Sequence, residues 1–253
     1  MRVAVVSVGD ELLVGDTVNT NAAWLGRRLT ARGASVERVT AVPDRVADIA
    51  RVVNEYHAEY DAVIVTGGLG PTHDDRTIEG VAAAVGRDVE PNAEVLEWLT
   101  TEGGYAEGDL DAGTTELPAG ARPLHNVEGV APGCVVERIY VLPGVPREME
   151  GMFEQVADEF EGQRQHVRQV VVDEPESTLV ERFTRLQERF DVKVGSYPGD
   201  HVRVKIQAID AAEVEAAVAW LRERVDEAEG NDEAESEDDA ADKEDEDEGS
   251  DLG

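Results

Sequence analysis

Cysteine, lysine and long apolar runs are nearly missing from this sequence, and each shortage narrows what the chain can be. Cys134 is the only cysteine among 253 residues. No disulfide can close within the chain and no cysteine-built metal site is available. A lone thiol of this kind reads as a small buried hydrophobe rather than a reactive group. Only Lys193, Lys205 and Lys243 are lysines, against 56 Asp plus Glu, and the formal net charge is -33. An acidic, lysine-poor surface fits a halophilic protein of a salt-rich cytoplasm, where the charge is screened and keeps the chain in solution. No basic patch is visible, which argues against nucleic acid as a partner. No apolar run approaches the ~20 residues that cross a membrane. The N-terminus opens on a strand-like run, Arg2 to Val8, without a signal-peptide layout. The expectation is a soluble cytoplasmic protein with no membrane partner. The histidines are scattered, with no His-x-x-x-His spacing and no Ser/His/Asp order, so zinc and acyl-transfer chemistry are not indicated.

What is present is an alternation of strand and helix patterns. Val3, Ala4, Val5, Val6 and Val8 form an almost continuous apolar strand, as expected when helices cover both faces. Ala22, Leu25 and Leu29 then recur at helical spacing, with Asn19, Thr20 or Asn21 as N-cap and Gly33 as stop. A strand over Ser35 to Thr40 follows. Asp44 is placed to cap a helix whose apolar face is Ile49, Val52, Val53 and Tyr56. A third strand, Ala62 to Val65, precedes a helix bearing Ile78, Val81, Ala82 and Val85. Alternation of this kind predicts a three-layer α/β domain with a mostly parallel sheet. Further on, a helix over Glu94 to Leu99 leads into a Gly- and Asp-rich loop, Thr101 to Thr115. Cys134 to Leu142 reads as a hairpin turning at Glu137-Arg138. Met149, Met152, Phe153, Val156 and Phe160 share one helical face. Past 163 the order is strand, helix, strand, strand, helix: a small α+β ferredoxin-like domain over 164–228, one strand short of the full motif. Residues 229–253 hold 14 Asp or Glu and one Lys, a composition too charged to pack and expected to be disordered. The predicted domains are therefore 1–163, 164–228 and an acidic tail, 229–253.

The third strand opens into the most informative segment, Thr66-Gly67-Gly68-Leu69-Gly70-Pro71-Thr72, followed by His73, Asp74 and Asp75. Glycines let backbone N–H groups approach a bound anion, and the next helix adds its positive end. Thr66 and Thr72 add hydroxyls. Adjacent carboxylates repel phosphate unless a cation lies between them, so Asp74 and Asp75 point to Mg²⁺ or a similar hard divalent ion. One of the two can instead cap the helix. Gly9-Asp10-Glu11-Leu12-Leu13, with Asn19-Thr20-Asn21, ends the first strand on the same sheet edge, so Asp10 or Glu11 can complete a metal site or orient substrate. Asn126, near Gly129 and Gly133, can read a base or pterin edge. Pro143-Gly144 ends another strand and can form a rim.

These motifs together, with Thr77, Asn126 to Gly133 and Leu142-Pro143-Gly144-Val145-Pro146, resemble the N-terminal half of the CinA family of competence/damage-inducible proteins. That half is similar to the molybdopterin-binding domain of MoaB/MogA type. The resemblance covers about Arg2 to Phe160 and extends through Ser196-Tyr197-Pro198. It implies a phosphate-bearing pterin or nucleotide as ligand, molybdopterin included, and a divalent cation. It also implies either metal-dependent pyrophosphatase action on ADP-ribose-like nucleotides or a binding role in molybdenum-cofactor biosynthesis without hydrolysis. Asp75, with Asp74 or Glu11, would then hold metal and act in catalysis, with the glycine loop on phosphate. A homo-oligomer is the family default. The resemblance also carries departures. The amidase domain of full-length relatives has no counterpart, so nicotinamide-nucleotide deamidation is not expected. His73 stands where relatives often have lysine, and 113–121 lacks an Arg/Lys-Gln-Ala pattern.

Overall fold

The computed structural model describes residues 1–228 except 71, 73, 74, 107, 109, 112, 163 and 164. The tail 229–253, whose expected disorder was noted above, lies outside the described residues. The chain divides into two compact units, Met1–Arg164 and Gln165–Gly253.

In the first unit, β1 (Arg2–Val8), β2 (Ser35–Val42), β3 (Ala62–Thr66) and β8 (Ile139–Leu142) lie parallel, and β7 (Gly133–Val136) and β6 (Arg122–Leu124) continue the sheet antiparallel. The spatial order is β2-β1-β3-β8-β7-β6. The apolar run of β1 is continuous because its alternate side chains enter two different cores. Val3 and Val5 pack toward Leu25, Leu29 and Phe153, from α2 (Thr20–Ala31) and α6 (Pro146–Glu154). Ala4, Val6 and Val8 pack toward Ile49, Val53 and Val81, from α3 (Val46–Glu59) and α4 (Thr77–Val85). The expected three-layer α/β fold with a mostly parallel sheet is therefore present.

Several details differ from the sequence expectation. The Gly-Asp-Glu turn is a short helix, α1 (Asp10–Val14), closed by Gly15 in the left-handed region. Asp44 does not take the cap position of α3, which is Arg45, without a side-chain bond. The Asp44 carboxylate instead accepts the Asp10 N–H at 2.8 Å. Of the three candidate caps for α2, Asn19 takes the role, accepting from Ala22 N at 3.1 Å. β4 (Val89–Pro91) and β5 (Glu116–Pro118) form a small ladder with no counterpart among the expectations. Between them, α5 (Ala93–Thr101) is the helix expected from Glu94. The Met/Phe helix breaks after Glu154 and resumes as a single 3-10 turn, Ala157–Phe160. The β7–β8 hairpin does turn on Glu137 and Arg138, both at positive φ (56° and 94°). Non-glycine residues there cost about 1–3 kcal/mol each, and Glu137 is held by Arg87 at 2.9 Å and His57 at 3.2 Å.

The second unit is β9 (His166–Val172), α7 (Glu176–Arg189), β10 (Lys193–Tyr197), β11 (Val202–Ala208) and α8 (Ala211–Arg222). Its antiparallel sheet has the order β10-β11-β9. Val170, Val204, Leu186 and Val218 are among the residues of its core. Among the described residues no helix is long and apolar enough to cross a membrane.

Candidate functional site

Ser7, Thr66 and Leu142 stand in register across β1, β3 and β8. The three loops that follow therefore start at one level on the carboxyl edge of the sheet, where open α/β sheets take ligands. A cleft of about 940 Å³ opens there. Of the residues expected at the site, Thr66, Gly67, Gly68, Gly70, Thr72, Asp75, Glu11, Asn21, Pro143 and Gly144 line it. Asp10 and Asn126 do not. Asp74 and His73 lie outside the described residues.

The glycine loop is shaped by close approach. Gly67 has φ 96°, and a Cβ on it would sit 2.3 Å from Val8 O. A Cβ on Gly144 would sit 3.2 Å from Gly67 Cα, so two loop backbones meet at that point. Thr77, fully buried, donates its hydroxyl to Gly67 O at 2.8 Å and its N–H to Gly68 O at 3.2 Å, tying the loop to the first turn of α4. The N–H groups of Gly68, Leu69 and Gly70 have no partner among the described residues. These are the three backbone donors the described loop leaves for an anion.

Asp75 does not cap α4, whose cap position is Arg76 with no side-chain bond. Its Oδ2 accepts from Thr72 N at 3.0 Å and from the Thr72 hydroxyl. The Thr72 hydroxyl proton is thereby committed to the carboxylate, which folds the loop back on itself and leaves Oδ1 as the second carboxylate oxygen. At the first strand, buried Ser7 accepts from Asn19 Nδ2 at 2.9 Å and, more weakly, from Thr66 Oγ1 at 3.5 Å. Asn21 donates to Gly144 O at 2.8 Å, joining α2 to the β8 loop, while its buried Oδ1 accepts no hydrogen bond among the described residues.

Asn126 has a different task from the expected one. Its Nδ2 donates to Ala131 O (3.0 Å) and Glu148 Oε2 (2.7 Å), and its Oδ1 accepts from Glu128 N (3.2 Å) and Gly129 N (2.9 Å). A side-chain amide has two donors and two acceptor lone pairs, so none remains for a base or pterin edge. Asn126 is 2% exposed. It builds the 126–131 loop and fixes Glu148, which lines the cleft.

The charge of the cleft is one-sided. Glu11, Asp44, Asp75, Glu79, Asp111, Glu116 and Glu148 line it, and among the described residues no Lys, Arg or His does. No three His, Cys, Asp or Glu among the described residues are grouped closely enough to cage a metal by themselves. Ser7, Asp44, Glu79 and Glu148 were not foreseen from the sequence. Ser7 carried a usable signal, a polar residue near the end of an apolar strand. Glu148 carried none, since its fixing partner lies 22 positions away.

A family model described as a probable molybdopterin binding domain matches residues 4–162. The chain belongs to the molybdopterin-binding domain family. Its second unit matches, over residues 164–233, a model for the middle domain of FAD synthase. Within this family it is similar to an Archaeoglobus fulgidus protein, 38% identical over 229 residues, covering 90% of this chain and 99% of that one. A CinA-like protein of Citrifermentans bemidjiense is 37% identical over 241 residues, covering 89% of this chain and 58% of that protein. The chain thus spans somewhat more than half of its CinA-like relative. The solved structure of CinA from Thermoplasma acidophilum, whose function is given as unknown, is 36% identical with a TM-score of 0.58. That match covers 63% of this chain and 97% of the other. The first unit is therefore CinA-like and belongs to the family described as probable molybdopterin binding domains.

Proposed function

We propose that the cleft binds a phosphate-bearing pterin or nucleotide together with a divalent cation. The observation that carries this reading is the pairing of three loop amides without a partner among the described residues, at Gly68, Leu69 and Gly70, with a lining whose only described charged side chains are carboxylates. Amides alone would hold phosphate weakly against that many negative groups, because like charges inside a partly desolvated cleft repel strongly. A hard cation with all-oxygen ligands removes the conflict. The donor set fits such an ion: Asp75 and Glu11 offer carboxylate oxygens, Asp74 adjoins Asp75 in sequence, and the ligand's phosphate would complete the shell. When bound, the ion withdraws charge from phosphoryl oxygens. The protein's own contribution is to present the amides, hold Asp75 through Thr72, and keep Glu11 and Glu148 beside the ligand.

The finer reading is hydrolysis of a nucleotide pyrophosphate such as ADP-ribose. A water oxygen would bond to one phosphorus while the bridging P–O bond breaks, releasing AMP and ribose 5-phosphate. In this reading Glu11, which lines the cleft, would take the water's proton. The test is AMP release by purified protein in high salt with Mg²⁺, Mn²⁺ or Co²⁺; no AMP above a no-protein control rejects hydrolysis. The second reading is a molybdopterin-binding module without turnover, and the family match over 4–162 favours it. Deletion of the gene with molybdoenzymes left fully active, and no molybdopterin retained by the protein, rejects that one.

A further inference from the structure

We propose that the open face of the second unit's sheet is a docking surface for the chain's own acidic C-terminal segment, residues 229–253. None of β9, β10 and β11 contains an Asp or Glu, in a chain with 56 of them. Alternate residues of β11, namely Val202, Val204 and Ile206, enter the core, so Arg203, Lys205 and Gln207 point the other way. Directly opposed residues of antiparallel strands share a face. Lys205 lies between Gly195 and Gln169, Arg203 between Tyr197 and Val171, and Gln207 between Lys193 and Val167.

This face therefore gathers two of the chain's three lysines with one arginine, and no carboxylate. Lys193, Arg203 and Lys205 have no ion-pair partner among the described residues. In the same unit Arg168, Arg182 and Arg185 are each paired with a glutamate. Cations left bare where carboxylates are so plentiful mark a surface kept for an anionic group.

The acidic segment starts beside it. Glu227 bridges antiparallel to Val172. Asp173 N donates to Asp226 O at 2.8 Å, and Ala228 N donates to Val171 O at 3.1 Å. The chain thus runs to Ala228 along the outer edge of β9. Strands are ~4.8 Å apart, whereas 25 residues can span up to ~80 Å, so the segment reaches the whole face. Its net charge of -13 is complementary to the bare cations, and tethering gives an effective concentration on the order of millimolar. A second copy docked by two-fold symmetry would set this cation cluster against itself. Nucleic acid would be repelled by the net charge of the whole chain.

Zero-length carbodiimide cross-linking of the full chain tests the proposal cleanly, because only Lys193 and Lys205 are lysines outside the segment. At ~0.1 M KCl, peptide mapping should find Lys193 and Lys205 joined to carboxylates of 229–253. In a mixture of ¹⁴N and ¹⁵N protein the links should be within one chain. They should fall several-fold near 1 M KCl, where the Debye length is only ~3 Å. Links absent at low salt, formed only between chains, or unchanged at high salt overturn the proposal. So does a single-stranded oligonucleotide that binds the full chain at low salt and is released by K193E/K205E, which would assign the face to nucleic acid.

Discussion

Asn126→Ala separates a ligand-reading side chain from a loop-building one. The structure gives Asn126 four hydrogen bonds, all within the protein, one of them to the Glu148 carboxylate. Each neutral bond contributes about 0.5–1.5 kcal/mol net, and a bond to a charged group about 1.5–3 kcal/mol. The bonds share one loop and couple, so the loss should fall below the simple sum, at roughly 3–5 kcal/mol. For a unit of this size, 1 kcal/mol corresponds to about 2–4 °C in Tm, so a fall of roughly 10 °C is expected. The measurement is thermal denaturation followed by circular dichroism, alongside ligand titration at a temperature where the variant remains folded. An unchanged Tm with ligand binding lost would refute the reasoning, because it would mean that the amide faces the ligand.

Three other outcomes follow from the same geometry. Gly67→Ala must place a Cβ against Val8 O at φ 96°; the backbone term alone costs about 1–3 kcal/mol, visible as a lower denaturant midpoint. Thr77→Val should cost about 1–3 kcal/mol by leaving buried Gly67 O without its donor, and should weaken phosphate binding more than Thr77→Ser, which keeps the hydroxyl. Burial pushes the Cys134 thiol up to about 12 from an ordinary value of 9.0. Because the folded-state value lies above the unfolded one, its stabilising share is complete below about pH 9 and lost as pH rises toward 12. Equilibrium unfolding should show this alkaline slope flattened in Cys134→Ala, and an equal slope in both proteins would exclude the thiol as its source.

The layered fold was legible because β1 and β3 are apolar on both faces, a pattern that only a sheet covered on both sides requires. The helices of the first unit other than α1 were legible from their buried stripes, such as Ile49, Val52, Val53 and Tyr56. β4, β5 and β6 were not, since three residues carry too little periodicity to register. Asp44 misled because an acidic residue just before a helix matches a cap pattern, whereas the unsatisfied Asp10 amide, 34 positions away, takes its carboxylate. At the site, the glycine loop was visible as a contiguous motif. The acidic lining was not, because its seven carboxylates come from segments spread between Glu11 and Glu148 and converge only on folding. Asn126 stood out as a polar residue among glycines, but its saturation by Glu148 and three backbone groups is a tertiary property.

The central claim is that a cation reconciles phosphate with an acidic cleft. Thermal shift in high KCl with ADP-ribose as the probe tests it directly, since a ligand that binds the folded state raises Tm. The account predicts a rise when ADP-ribose and Mg²⁺ or Mn²⁺ are present together, little rise with either alone or with EDTA, and loss of the joint effect in Asp75→Asn. An equal rise with ADP-ribose in EDTA, retained in Asp75→Asn, would contradict it.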